Sequence, residues 1–405
     1  MKNKSTFLLV PFIVTFFSVG TMYSQWTTQT SPTSSKLEAL YFTNALTGFT
    51  SSSVVSQLYK TVDGGINWSS IGPYSSRDIW FVDANNGFAT SAAGSPSGTM
   101  KKTTNGGTTW TSIVPPNSSS YLGVSATSVT NAYFINTDDK VIKTINGGTS
   151  ITSYNIPLSN SAGQILTDIF FVNATTGYLS AQGGQVFKTT NSGTSWTLLN
   201  TNTGSNALNS LYFIDSMTGY VAGTNGKVLM TTDGGTTWVD KSITGIVAVN
   251  AIRFFDANVG LAVGLSGKIF RTTNGGDTWE QQASGTTQHL WNVFFLNATS
   301  AVIVGDAGTI LKNNDVLARE KSVSKATFLL SPNPLTDITI LSIQNFTDFN
   351  SLEVEIYNIT GALIKRDVIK SKEYFFDKQY FISGIYFLKI KNRSETLETL
   401  KLVVP

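Results

Sequence analysis

Few side chains in this sequence are suited to chemistry, and most of them recur at one place in a short motif. Six apolar runs read LEALYF (Leu37–Phe42), SRDIWF (Ser76–Phe81), LTDIFF (Leu166–Phe171), LNSLYF (Leu208–Phe213), VNAIRF (Val249–Phe254) and LWNVFF (Leu290–Phe295). Their second and third positions hold Glu38, Arg77, Asp78, Asp168, Asn209, Asn250, Trp291 and Asn292, and the adjoining connectors hold Tyr74, Tyr121 and His289. A carboxylate pair about 5–9 Å apart can hydrolyse a glycosidic bond, so Glu38, Asp78 and Asp168 are candidates for that chemistry if the runs converge. Amides beside aromatic rings suit the binding of a sugar or a peptide instead.

Other chemistry is closed off by composition. With no cysteine in 405 residues there are no disulfides, thiolate metal sites or cysteine nucleophiles. The single histidine, His289, rules out a multi-histidine metal site within one chain, and a Ser-His-Asp triad would have to use it. Neither a metal nor a cofactor is expected. Net charge is +3 and thinly spread, with no cluster of Lys and Arg for nucleic acid. At 41% hydrophobic and 13% charged, the chain is too apolar for disorder.

The elements that position these residues are repeats. About 20 residues after each run comes a polar turn: TVDGGINW around Asp63, TTNGGTTW around Asn105, TINGGTSI around Asn146, TTNSGTSW around Asn191, TTDGGTTW around Asp233 and TTNGGDTW around Asn274. Successive steps are 42, 41, 45, 42 and 41 residues, and a further step of 41 reaches Asp315 in an eroded seventh copy. The third unit is degenerate and aligns as LGVSAT (Leu122–Thr127), which puts Gly123 and Val124 at its second and third positions. Four short β-branched and aromatic strands per unit of about 42 residues are the signature of a β-propeller blade.

The seventh unit lacks the strand that should follow its turn, and QWTTQTSP near the N-terminus resembles those missing strands. Trp26 is therefore expected in the outer strand of the seventh blade, closing the ring and removing exposed sheet edges. In the repeated turn the Asx side chain accepts backbone N–H bonds, the glycines take positive φ, and the tryptophans bury apolar surface. Free exchange of Asp and Asn fits an acceptor role and not a catalytic one. Asp63, Asn105, Asn146, Asn191, Asp233, Asn274 and Asp315, with Trp26, Trp68, Trp110, Trp196, Trp238 and Trp279, are read as structural.

The turn resembles the Asp-box, or BNR repeat. Residues 25–317 resemble the seven-bladed propellers of the photosystem II assembly and stability factor-like family, best over Tyr212–Trp238. Residues 329–405 resemble the type A C-terminal sorting domain of the bacterial type IX secretion system, through Ser331-Pro332-Asn333-Pro334, the Tyr357–Gly361 segment YNITG, SGIYFL at Ser383–Leu388 and a late Lys401. The usual basic finish is replaced by Val403-Val404-Pro405. This tail reads as a small β-sandwich with Leu352, Val354, Ile356, Ile359, Ile385, Phe387 and Ile390 inward, and residues 318–328 read as a linker. Residues 1–24 read as an export signal: Lys2 and Lys4, an apolar run to Val19, then Ser24. No other segment is apolar enough to span a membrane. The sorting resemblance implies a gram-negative source, recognition by the secretion machinery, and a secreted or surface-held product.

The fold expected is thus all-β, a seven-bladed propeller plus a C-terminal β-sandwich. Its candidate site is the channel mouth where the innermost strands begin: Glu38, Arg77, Asp78, Asp168, Asn209, Asn250, Trp291 and His289. The leading functional expectation is a non-catalytic binding or adhesion module for a glycan or protein. A glycoside hydrolase is the alternative, and an assembly factor for a protein complex is the second. A sialidase-like site would need three arginines, and the propeller offers only Arg77, Arg253 and Arg271, of which Arg271 takes the place of the repeat's usual lysine and reads as a surface residue. Asp215-Ser216-Met217 resembles an O-glycosylation site of bacteria with this secretion system, at Ser216.

Overall fold

The computed structural model describes residues 26–316 and 327–405, apart from 53, 75, 92–98, 117, 159–163, 202–203, 205, 345–348, 350–351 and 393–394. The segment expected as an export signal and most of the linker lie outside the described residues. The chain divides into two compact units at Ala318 and Arg319.

The first unit is a seven-bladed β-propeller. Its innermost strands are Ala39–Phe42, Asp78–Phe81, Tyr121–Ala126, Leu166–Phe171, Leu208–Phe213, Val249–Phe254 and Leu290–Phe295, each the first of a four-stranded antiparallel sheet. Blades one to six take their four strands in chain order. Blade seven takes its outermost strand from Thr27–Thr28, with Thr27 opposite Lys312 and Thr28 opposite Leu311. Trp26 beside it is buried. The N-terminal strand therefore closes the last blade.

Blades pack through a repeated sandwich of rings. The phenylalanine that ends an innermost strand stacks on an aromatic of the preceding blade's second strand: Phe49 on Phe81 at 4.6 Å, and Tyr133 on Phe171, Tyr178 on Phe213 and Tyr220 on Phe254 at 3.7 Å. The tryptophan closing the same blade's polar turn meets that phenylalanine edge-on, as in Phe171–Trp196 and Phe254–Trp279.

The repeated turn is held from inside and from next door. Asn105 Oδ1 accepts from the Thr109 N–H and the Thr103 hydroxyl, while its amide donates to Thr109 Oγ1. Asp233 accepts the equivalent Thr237 N–H and Thr231 hydroxyl, and its second oxygen accepts the Thr237 hydroxyl. Thr237's hydroxyl and N–H hold the Asp233 carboxyl down at about 2. A threonine hydroxyl can donate or accept, so the +4 position suits either residue. Gly234 and Gly235, at φ +66° and +88°, provide the left-handed step between them. A lysine from the preceding blade reaches the turn's glycine or serine carbonyl: Lys60 to Gly106, Lys102 to Gly147, Lys143 to Ser192 and Lys188 to Gly234, at 2.6–2.9 Å. In the seventh copy Asp315 keeps the Asx position, and Asn313 replaces the threonine by accepting the Asp315 N–H.

Arg271 occupies this lysine position in blade six and is not a surface residue. It is buried, donates to the Val316 carbonyl at 2.8 Å and pairs with Glu280. It lies on the third strand from the axis, between blades.

The second unit has two sheets around one core. Thr327–Ser331, Ile338–Gln344 and Glu373–Asp377 form one; Leu363–Val368, Leu352–Asn358, Gly384–Asn392 and Glu395–Val404 form the other. The first strand begins inside the segment expected as linker. Leu341, Ile343 and Phe376 of one sheet meet Val354, Ile356, Leu388 and Ile390 of the other. Inward parity on Gly384–Asn392 falls on Tyr386, Leu388 and Ile390, so Phe387 faces out, and Ile359 stands exposed in the turn after Asn358. Asn333 ties the SPNP segment to the last strand, donating to the Lys401 carbonyl at 2.6 Å and accepting from the Val403 N–H at 2.9 Å.

Candidate functional site

A cavity of about 280 Å³ opens where the innermost strands begin. Glu38, Arg77, Asp78, Asp168, Asn209, Asn250 and Trp291 all line it, with Lys36, Thr167 and Arg253. His289 does not. Its Nδ1 accepts the Ser266 N–H at 3.0 Å in the connection between blades six and seven, and its ring stands edge-on to Trp291.

The third blade enters this mouth one residue out of the expected register. Tyr121 pairs with Asn136 and is fully buried, as Leu208 does opposite Gly223 in blade five. Tyr121 is therefore the first position of the motif, and Leu122 and Gly123 are the second and third; both line the mouth. Val124 turns into the core. A slip of one residue exchanges the two faces of a strand, and Tyr121 is accordingly a core residue and not a connector residue of the site. Tyr74 lies outside the mouth, beneath Lys101 at 5.0 Å.

Most polar groups of the mouth fasten blade to blade. Innermost strands diverge around the ring and cannot pair as a ladder, so side chains satisfy backbone groups between them. Asn209 donates to the Val249 carbonyl at 2.9 Å, Asn250 to Leu290 at 2.8 Å, and Thr167 to Leu208 at 2.6 Å. Asp78 accepts its neighbour Ile79 N–H through one oxygen and the next blade's Val124 N–H through the other, both at 2.9 Å. Asp168 does the same with Ile169 and Leu211. Asn292 donates to the Glu38 carbonyl at 3.2 Å across the closure between blades seven and one.

Four side chains remain with functional scope. Glu38 pairs with Lys36 at 2.6 Å, and the Lys36 ammonium sits 3.8 Å above the Trp291 ring. Trp291 donates to Asp306 at 2.6 Å, which fixes its indole plane. Arg77 is exposed at the rim and forms no ion pair among the described residues.

Below the mouth the channel narrows to Asp78, Asp168 and Arg253, which line both this cavity and a second one. Burial pushes the Asp78 carboxyl up to about 7, and the neighbouring Asp168 charge adds to the rise. Burial also raises Asp168, against the attraction of Arg253. Both are open to the lumen yet walled by protein, so it is lost hydration that moves them.

The second cavity, also about 280 Å³, lies where the innermost strands end. Its wall is a belt built from the motif's fifth position. Phe294 meets Tyr41 at 5.3 Å, Tyr41 meets Trp80 at 6.0 Å, Trp80 meets Phe170 at 5.4 Å, and Phe170 meets Tyr212 at 5.4 Å. In blade six Arg253 takes that position and lies 5.4 Å from the Tyr212 ring. Blade three places the small Ser125 there, and Trp80 reaches across to Phe170. Neither Arg253 nor the belt was expected, although the fifth letters of the six clear motifs are Tyr, Trp, Phe, Tyr, Arg and Phe.

Among the described residues no group of acidic and histidine side chains could hold a metal ion, and no helix is long and apolar enough to cross a membrane. Ser216 is exposed at a turn tip where Asp215 accepts the Met217 and Thr218 N–H groups at 2.7 Å.

These features define a class of protein: a single closed propeller with a narrow channel, joined to a small β-sandwich. Residues 330–405 match the secretion system C-terminal sorting domain, and this part of the chain is such a domain, the tail of type IX secretion substrates. A tail of this kind implies engagement of the secretion machinery and a secreted or cell-surface protein. Similar solved structures include YCF48 bound to D1 peptide, at 20% identity and TM-score 0.59, covering 72% of this chain and 97% of that one. Virginiamycin B lyase from Staphylococcus aureus is similar at 13% identity and TM-score 0.61, covering 71% and 98%. The GH74 xyloglucanase from Xanthomonas campestris is similar at 11% identity and TM-score 0.61, covering 79% of this chain and 59% of that one. At these identities the likeness is one of fold. No curated protein matches the chain.

Proposed function

We propose that the chain is a non-catalytic binding or adhesion module, exported by the type IX system, that takes a glycan or a protein segment at the polar channel mouth. The observation that carries this reading is the use made of the carboxylates. Every oxygen of Asp78 and Asp168 accepts a backbone N–H, and Glu38 is held by Lys36. A glycosidase needs one carboxylate free to attack or activate water and one free to donate a proton. Here all three are engaged in holding the ring or balancing a cation. What the mouth offers outward is Arg77, the Lys36–Trp291 pair and the edges of the amides, a set suited to recognition.

The similar structures support a range of uses for such a scaffold. One is a YCF48 with a peptide bound; others are a lyase and a xyloglucanase. A fold hosts many functions, and the site decides.

The test uses the full chain, immobilised, against plant and algal polysaccharides, sialosides, peptidoglycan and a peptide library, scoring retention and released reducing sugar together. Retention without release, lost in Arg77→Ala and Trp291→Ala, is the expected result. Release of sugar that disappears in Glu38→Gln, Asp78→Asn or Asp168→Asn overturns the reading in favour of a hydrolase.

A further inference from the structure

The aromatic chamber at the far end of the channel shares Asp78, Asp168 and Arg253 with the mouth, and its lining carries an unused set of polar groups. Its walls are Tyr41, Trp80, Phe170, Tyr212 and Phe294, with Phe255 and Phe295 at the rim. Phe255 is 45% exposed and lies 6.0 Å from Phe295, so the chamber opens to solvent past two rings. The Tyr41 hydroxyl is spent on the Phe81 carbonyl at 2.7 Å. The Tyr212 hydroxyl has no acceptor among the described residues. Arg253 donates from one nitrogen to its neighbour's carbonyl, Ile252 O, at 3.0 Å. It forms no ion pair among the described residues, although Asp78 and Asp168 are close enough to interact through charge. A half-buried guanidinium with unused N–H groups is costly unless something accepts from them.

The mixture of groups selects the ligand. A carboxylate or phosphate on Arg253 would face two acidic side chains across the channel. An amine placed on Asp78 or Asp168 would face Arg253. A neutral ring with several hydroxyls satisfies all of them at once: it accepts from Arg253 and Tyr212, donates to the free lone pairs of the two carboxyls, and lays its C–H faces on the aromatic belt. A volume of about 280 Å³ lies at the small end of ligand pockets and leaves room for one ring between the walls. We infer that this chamber is a second binding site, for a single neutral pyranose ring, such as the terminal unit of a glycan entering past Phe255. The inference stands on the belt and Tyr212, which line this chamber and not the mouth, and on Arg253, which with the two carboxyls lines both.

The experiment is saturation-transfer NMR and calorimetric titration of the full chain with methyl β-glucopyranoside, methyl β-galactopyranoside and methyl α-mannopyranoside. Glucuronate and cyclohexylamine are the charged comparators of similar size. At least one neutral pyranoside saturates the wild type. Arg253→Met and Tyr212→Phe each weaken it by about tenfold, the effect of one buried hydrogen bond to a ligand. Phe255→Ala weakens it as well, while Met217→Ala, at an exposed turn tip outside both cavities, leaves it unchanged. Because Phe255 is exposed, that variant decides the matter even if Arg253→Met does not fold. The inference is overturned if no neutral pyranoside saturates the wild type, if glucuronate or cyclohexylamine binds in preference, or if binding survives Phe255→Ala and is lost in Arg77→Ala.

Discussion

Replacing Asp78 by Asn should make the propeller less stable in acid and more stable at alkaline pH, so that the two stability curves cross. Asp78 lies at the channel waist with each oxygen accepting one N–H. Burial, the largest influence, raises its pKa from 3.8 to about 7, Asp168 adds to the rise, and the N–H of Val124 and the charge of Arg253 oppose it. A folded pKa above the unfolded one means that, between pH 4 and 7, the native protein holds a proton the unfolded chain has released. Stability from this group is therefore complete below about pH 4 and is lost as pH rises to about 7. At 1.36 kcal/mol for each pKa unit, the loss is about 4 kcal/mol. Asn has one carbonyl oxygen for two N–H donors, so the variant leaves one of them unmet at a cost of about 1–3 kcal/mol at any pH. At pH 4 the variant should be the less stable by about that amount. At pH 8 it should be the more stable by about 1–3 kcal/mol, since it escapes the ionisation penalty. All 8 tryptophans lie between Trp26 and Trp291, so tryptophan fluorescence in urea reports the propeller alone. The difference between the two proteins cancels every other titrating group except Asp168, which loses a repelling neighbour and moves in the same direction. Parallel curves from pH 4 to 8 would refute the reasoning, because they would mean that Asp78 is hydrated and ionised in the folded state.

Three further outcomes are expected in the same assay. Asn105→Asp should change stability little, because the +4 threonine hydroxyl can donate as well as accept, whereas Asn105→Ala should cost about 1–2 kcal/mol through the lost Thr109 and Thr103 bonds. Lys188→Met keeps the apolar stem over Tyr178 but leaves the Gly234 carbonyl without its lysine donor, and should cost about 1 kcal/mol at pH 7. Trp26→Ala removes a buried ring beside the closing strand and should cost about 3–5 kcal/mol; a change under about 1 kcal/mol would show that the ring does not depend on that strand.

The blades were legible because each repeats the same physical instructions. An apolar alternation makes the inner strand, an Asx turn follows the third strand, and a tryptophan closes it. The ring's closure was legible because one unit lacked a strand that Trp26 and its neighbours resemble. The third blade's register was not, because Tyr121 and Leu122 are both apolar and either can head the motif. Only pairing with Asn136 decides between them. The same ambiguity affects the tail, where GIYFLKI is apolar at both parities and Tyr386 and Leu388, not Ile385 and Phe387, face the core. Arg253 and Arg271 show a different limit. Both lie opposite Leu261, one on each neighbouring strand, so the linear sequence gives them equal standing. Distance from the propeller axis separates them: the inner one faces the channel and the outer one is buried between blades.

The candidate carriers of function are then the residues that depart from the repeat, not those that express it. A ring of seven divergent inner strands needs side chains to bridge backbone groups, and Thr167, Asn209, Asn250 and Asn292 bridge in successive or neighbouring blades. Their polarity at a channel mouth invites a reading as a binding site, yet the closure of the ring already accounts for it. No such account covers Arg77, which bridges nothing through its side chain, or Trp291, an indole where blades four to six place a hydroxyl or an amide. Nor does one cover Arg253, a cation where five blades place an aromatic ring. Arg253 carries the strongest argument of the three. Its guanidinium stands in the waist beside two carboxyls with no ion pair among the described residues, at a position where five blades place an aromatic ring. Such a departure, with N–H groups left unused beside an aromatic belt, is the feature on which the proposed ring-binding chamber turns.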